Sequence, residues 1–371
     1  MKARALLFSI FLLLSLLLFS PSQALAAENA VDETREGLLS GFTEILPDAA
    51  KESIGVSDPD ADAIHDAVGF RHLFSLAASA FSGALSEGGV AGKLFGTALL
   101  FSVAALLGSF FGKSRFSDVF FPAAPALLFY RLLSPTLHRV FSFLEELSAF
   151  SSLLSPLFVS VFSAEGAVGS AAAVSGGFTV FIGVLEGVVL GLLSPLLKIL
   201  FVLSLLSPFS KDGITGEIEK RIRATFVWIL SAVCFLLCAS LAFESGLASS
   251  ADSVAIRATK FTVGQSIPLV GGAISSMLGT LSSSLSLVKS TFGAGALIAL
   301  LSLLLPVLAE LTVLRLTLSL SSLAATAMGA GSVGTVCERY RGVLDLMLAA
   351  VAITGAMFLL LVGIFSRLGA V

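Results

Sequence analysis

The chain has 371 residues, of which 56% are apolar and only 13% are charged, and its mean hydropathy is +1.00. Soluble globular domains carry about 25% charged residues, so this composition excludes an ordinary soluble enzyme and also a disordered chain. A formal net charge of -3 excludes a general nucleic-acid binder, and three cysteines are too few for a disulfide framework. The composition therefore predicts an all-α, polytopic membrane protein.

The first 27 residues have the pattern of a signal peptide. Lys2 and Arg4 precede an apolar run over residues 5–19, Pro21 interrupts it, and the small residues at 24–26 suit cleavage. The alternative is an uncleaved first anchor helix. Both interpretations place the following segment outside the cytoplasm.

Residues 28–90 are predicted to be an acidic extracytoplasmic segment with amphipathic helices. Between residues 28 and 66 there are eleven acidic residues and two basic ones, as expected for an exported segment. Apolar residues recur at helical spacing near Leu38 and again from Phe70 to Leu85. The second helix is expected to lie in the membrane interface, or else to be a weak transmembrane helix.

Residues 91–371 are predicted to form the multispan membrane domain. A crossing needs about 20 apolar residues, since the hydrocarbon layer is roughly 30 Å thick. Apolar runs of this kind cover residues 94–111, 119–137, 148–162, 177–206, 224–243, 293–314, 316–333 and 343–365. We expect six to eight crossings, preceded by the signal peptide and the short helical extracytoplasmic segment.

Basic clusters indicate which loops face the cytoplasm. Lys113 with Arg115, and the cluster at residues 220–223, should both be cytoplasmic. The side of Arg339 and Arg341 stays open, because a cytoplasmic position requires residues 293–333 to cross only once or to fold back.

The tetrapeptide Leu-Leu-Ser-Pro occurs four times, ending at Pro135, Pro156, Pro195 and Pro208. Proline removes a backbone donor, so these sites are predicted to be kinks or helix ends. Broken helices also bind substrates in transporters, which is the alternative interpretation.

Ionisable residues within the apolar runs are candidate functional residues, because a charge in the bilayer is costly. They are Arg131, Glu186, Lys198, Glu310 and Arg315. Glu186 and Lys198 are twelve residues apart and cannot pair unless Pro195 folds the segment back. Glu310 and Arg315 are expected to reach each other or to extend toward the interface. Each could instead be a packed structural charge.

No catalytic motif is present in the sequence. It contains no His-Glu-x-x-His and no phosphate-binding Gly-x-x-x-x-Gly-Lys-Ser/Thr loop, and its three histidines all lie in the first 140 residues. The sequence therefore predicts a protein that is not an enzyme, with no catalytic residue, cofactor or metal site.

Residues 244–290 are predicted to form an extracytoplasmic or re-entrant loop. Arg257 and Lys260 lie one turn apart there, so the loop either offers a partner contact or is an ordinary connection. Its most individual residues are Asp252, Ser253, Val254, Ala255, Ile256, Arg257, Lys260, Phe261, Gly264, Pro268 and Gly271. This pattern resembles the hallmark of the stage III sporulation protein AE family.

The resemblance implies a role in endospore formation. A member of that family would be a non-enzymatic membrane subunit, similar to an export gate, of a channel or secretion-like complex that links mother cell and forespore. Spore development would need this subunit after engulfment. It would lie in the mother-cell membrane around the forespore, with other membrane subunits, a separate ATPase and ring-forming proteins as partners. The lipid bilayer is an expected partner, and nucleic acid is not. The alternative is a stand-alone small-molecule transporter that uses Glu186 or Lys198.

Overall fold

The computed structural model describes residues 70–86, 89–110, 115–164, 168–206, 216–239 and 271–365, and these are helical apart from one turn. The elements are α1 (Phe70–Ser86), α2 (Gly89–Phe110), α3 (Arg115–Ala164), α4 (Val168–Val184), a π-helical segment (Leu185–Leu193), α5 (Ser194–Leu206), α6 (Gly216–Ala239), α7 (Gly271–Ala327) and α8 (Gly331–Phe365). The predicted signal peptide, residues 28–69 and the motif residues from 252 to 268 lie outside the described residues.

Six helices in the described ranges are long and apolar enough to cross a membrane. They are α2, α3, the continuous helix from α4 through α5, α6, α7 and α8. In lipid, the backbone must satisfy its own hydrogen bonds, which is why such apolar sequences form long helices. The prediction of an all-α bundle with six to eight spans is confirmed, with six candidate spans among the described residues.

α1 is the amphipathic helix predicted from Phe70 onward. It packs against α7 before the chain enters α2 at Gly89. The long helix α7 begins at Gly271, so the last part of the segment predicted as an extracytoplasmic or re-entrant loop, residues 271–290, has a helical backbone.

α3 is one helix of 50 residues where the sequence predicted two spans, residues 119–137 and 148–162. Residues 138–147 lie between the two predicted spans. They form an amphipathic continuation, because their apolar side chains Val140, Phe141, Phe143, Leu144 and Leu147 are all buried.

A tight turn joins α7 to α8, so residues 316–333 are not a separate span. The Ala330 N–H donates to the Ala325 carbonyl (2.9 Å), and the Gly329 N–H donates to the Thr326 carbonyl (3.0 Å). Gly329 has a φ of 78°, which completes a Schellman ending of α7. α8 begins at Gly331, and Arg339 and Arg341 therefore lie within it.

The Leu-Leu-Ser-Pro sites have three different outcomes. Pro135 and Pro156 lie inside α3 and end no helix. Neighbouring helices and serine side chains can satisfy the carbonyls that proline leaves free, so a span helix tolerates them. Pro195 follows the π-helical segment directly, at a point where the Ser194 N–H donates to the Val189 carbonyl. α5 ends at Leu206, two residues before Pro208.

The core lies where α7 and α8 pack along each other and α3 covers them. Phe358 of α8 is fully buried, and its ring centroid lies 5.9 Å from Phe150, 6.4 Å from Phe178 and 5.6 Å from Phe181. Gly355 keeps α8 close to α7, since a methyl group there would overlap the Leu304 side chain. These contacts fix the helices that carry the charged residues.

Candidate functional site

Glu219 near the start of α6 is buried and joins two helices. Its Oε1 accepts a hydrogen bond from Arg223 Nη2 at 2.6 Å, and its Oε2 accepts one from Arg339 Nη1 of α8 at 3.0 Å. Both carboxylate oxygens are therefore bound by guanidinium groups, which is a strong type of charge-assisted contact. We call Glu219, Arg223 and Arg339 the Glu219 cluster.

Gly342 makes room for the Glu219 cluster. It lies on α8 directly against the Arg223 guanidinium, and an added Cβ there would overlap that group. Arg223 and Glu219 are four residues apart on α6, and the absence of a side chain at Gly342 lets α8 pack directly against the Arg223 guanidinium.

Two further ion pairs link α7 to its neighbours. Arg139 Nη1 of α3 donates to Glu310 Oε2 at 2.6 Å, and Thr136 Oγ1 donates to Glu310 Oε1 at 2.9 Å. Arg315 Nε donates to Asp345 Oδ1 of α8. The predicted pairing of Glu310 with Arg315 is therefore wrong. Five residues turn a helix through about 140° beyond a full turn, so the two side chains face different helices.

Glu186 and Lys198 have separate partners, as their twelve-residue spacing predicts. Ser148 Oγ of α3 donates to Glu186 Oε1 at 2.7 Å. Lys198 Nζ lies 4.9 Å from the centroid of the Phe141 ring, within cation–π range. Glu186 is near the start of the π-helical segment, and a Cβ added at Gly191 would lie 3.2 Å from its carbonyl oxygen. Such segments often occur at functional sites.

Arg131 is exposed and lies on a groove between α3 and α5. The groove has a volume of about 800 Å³, and its lining includes Arg131, Ser134, His138 and Lys198 together with the apolar residues Leu127, Leu128, Leu137 and Phe141. We call it the basic groove. It brings together two of the five predicted intramembrane charges, Arg131 and Lys198.

The contacts place several helix ends at one end of the bundle. Tyr340 Oη of α8 donates to the Ala126 carbonyl in the first part of α3 (2.9 Å). Phe101 and Ala105, late in α2, pack on Ala325, Ala330 and Val333 around the α7–α8 turn. The Glu219 cluster ties the start of α6 to the same part of α8. We call this the basic end, because the described basic clusters at residues 220–223 and 339–341 both belong to it.

The sequence analysis did not select Glu219, Arg139 or Asp345 as functional candidates. Glu219 and Arg139 lie outside the predicted spans, whereas Asp345 lies within the predicted span 343–365, near its start, and was overlooked. The pattern that could have identified them is that each lies on a helix with a buried apolar face. Of the predicted motif, Gly271 is the first residue of α7, and the others lie outside the described residues. Within the described ranges, no group of three His, Cys, Asp or Glu side chains is placed to hold a metal ion.

The long apolar helices, joined through ion pairs and short glycine contacts, define a multi-pass helical membrane protein. The sequence profile of the stage III sporulation protein AE family matches residues 71–369, which covers every described helix almost completely. The chain belongs to this family. No curated protein and no solved structure gives a significant match.

Proposed function

We propose that this chain is a non-enzymatic membrane subunit of a channel or secretion-like complex that links mother cell and forespore during sporulation. The family match over residues 71–369 carries the proposal, because membership makes the chain a sporulation membrane protein. Its location would be the mother-cell membrane around the forespore. Its partners would be other membrane subunits, a separate ATPase and ring-forming proteins.

The arrangement of charges supports a subunit that holds its helices in fixed positions. Glu219, Glu310 and Asp345 each accept a hydrogen bond from an arginine on another helix. A buried charge needs such a partner, and removing the partner leaves an uncompensated charge in the core. These residues are thus accounted for by contacts inside the bundle.

An in-frame deletion of the gene in its spore-forming host tests the proposal. We expect cells that grow normally, complete engulfment and then fail to form heat-resistant spores, and a wild-type copy at another locus should restore spore counts. Membrane staining through the time course locates the arrest. Normal spore counts in the deletion strain would contradict the proposal.

The transporter alternative is favoured by one observation, the π-helical segment that begins beside Glu186 and ends just before Pro195. Discontinuous helices form substrate sites in secondary transporters. Purified chain in liposomes distinguishes the two: saturable solute uptake without any partner, abolished by Glu186→Gln, supports the transporter. The same deletion strain would then show a nutritional rather than a developmental defect.

A further inference from the structure

The basic groove has a shape and lining that the bundle's internal contacts do not explain. It is open to the surface along α3 and α5, and Arg131, His138 and Lys198 are all exposed. No carboxylate is among the described residues that line it. It therefore differs from the Glu219 cluster, where basic groups already have anionic partners.

The helical spacing aligns the polar groups on one face of α3. Arg131, Ser134 and His138 stand at i, i+3 and i+7, so they form one stripe along the groove. Lys198 approaches from α5, on the opposite wall. Arginine and lysine together offer many N–H donors and no acceptor, which suits a phosphate or another oxyanion.

Aromatic packing holds the walls of the groove in place. The Phe141 ring lies under Lys198 Nζ, and the Tyr130 ring lies 4.9 Å from the Phe201 ring of α5. A lysine ammonium carries three N–H donors, and those that do not point at the ring face can still donate to a ligand. The lysine is therefore held in place while its donors remain available to a ligand.

The apolar part of the lining narrows the class of ligand. Leu127 and Leu128 are exposed at the groove, and Leu137 and Phe141 form apolar surface beside the polar stripe. A small free anion would use the cationic groups and leave this surface unused. A ligand with a phosphate and a long hydrocarbon chain uses both.

The position of the groove in the bundle indicates which leaflet supplies that ligand. α5 ends at Leu206, eight residues after Lys198 or about 12 Å along the axis, at the basic end. Basic residues mark the cytoplasmic side, and lysine side chains near a helix end extend to the headgroups. Basic pockets between helices on this side bind anionic lipid headgroups.

We propose that the basic groove binds an anionic phospholipid of the leaflet at the basic end. Arg131, His138 and Lys198 contact the headgroup phosphate, and the acyl chains lie against Leu127 and Leu128. This proposal is independent of the role in sporulation, because it rests on the groove and on its position in the bundle.

Native mass spectrometry of the full chain in detergent tests the proposal by counting bound lipids. We expect wild type to bind phosphatidylglycerol about ten times more tightly than phosphatidylcholine. The double variant Arg131→Gln with Lys198→Gln should lose most of that preference. The matched control, Lys93→Gln with Arg221→Gln, removes the same charge from two other exposed positions and should retain the preference.

Two further measurements, a competition with inorganic phosphate and a comparison of the two lipids on wild type, make each outcome decisive. Inorganic phosphate that displaces the lipid at equal concentration would overturn the proposal, because the site would then be one for a free anion. Equal affinity of wild type for the two lipids would also overturn it, and this measurement needs no variant. A double variant that elutes as a monodisperse peak yet keeps its preference for phosphatidylglycerol would place the lipid elsewhere.

Discussion

Glu219 is a buried carboxylate that two arginines on two helices share, so it shows what one residue contributes to the bundle. Replacing it with glutamine keeps the side-chain size but removes the negative charge. Arg223 and Arg339 then face each other without compensation. We expect Glu219→Gln to lower the free energy of unfolding by about 1–3 kcal/mol, less than for a fully buried pair because both arginines are partly exposed.

Glu217→Gln is the matched control, since Glu217 is exposed on the same helix and the substitution removes the same charge. Thermal unfolding of both variants in detergent should give a clearly lower Tm only for Glu219→Gln. A double variant that adds Arg339→Gln to Glu219→Gln should recover part of the lost Tm, because one uncompensated charge is removed. Equal Tm values for the two single variants would show that the Glu219 cluster adds no stability.

The five charges predicted within the membrane domain show how far residue-level reasoning from sequence reaches. A charged side chain is costly in an apolar environment, so it was correct to expect partners for these residues. The identity of each partner depends on which helices are neighbours, as with Glu310 and Arg139, which are 171 positions apart. The short distance along the chain favoured an ion pair between Glu310 and Arg315, but the packing of the helices gives each residue a different partner.

The α7–α8 turn is the element whose backbone conformation can be tested most directly. Gly329 has a positive φ, Gly331 does not, and a Cβ added at either position meets no other atom within 4 Å. A difference between the two alanine variants therefore reports backbone conformation alone. We expect Gly329→Ala to lose about 1 kcal/mol of unfolding free energy and Gly331→Ala to be neutral or stabilising by up to about 1 kcal/mol.

Thermal unfolding of the two alanine variants beside wild type measures this difference. Gly329→Ala should unfold at a lower temperature than wild type, and Gly331→Ala at the same or a higher one. A loss of equal size in both would mean that the turn tolerates no methyl group for steric reasons, contrary to the open space around each glycine.

Element boundaries were harder to predict than element existence. Local hydropathy was sufficient to find each of the six candidate spans in the described part of the chain, since lipid solvation acts on each segment separately. It failed in α3, where two separate spans were predicted although Val140 and Leu144, between them, keep the helical spacing of a buried face. It also failed at the α7–α8 turn, where Gly329 gave a turn signal within an otherwise apolar run.

At the scale of the whole molecule, the contacts resolve the side of Arg339 and Arg341, which the sequence left open. α7 runs from the far end to the basic end without a break, and α8 starts there after a three-residue turn. Arg339 bonds to Glu219, so it shares a side with the basic residues at the start of α6. The two basic clusters in the described helices, at residues 220–223 and 339–341, then satisfy the positive-inside rule with six crossings.

This arrangement predicts which positions a membrane-impermeant maleimide can reach. Ser332 and Glu217 are exposed at the basic end, and Ser163 is exposed near the end of α3. α3 has 50 residues and is about 75 Å long, so it must extend beyond a hydrocarbon layer of roughly 30 Å. In a background in which Cys234, Cys238 and Cys337 are replaced by alanine, Ser332→Cys and Glu217→Cys should react only in inside-out vesicles. Ser163→Cys should react only in right-side-out vesicles. If the Ser332→Cys and Ser163→Cys variants were labelled from the same face of the membrane, α3 would not cross it. That result would contradict the six-span topology, on which the position of the basic groove depends.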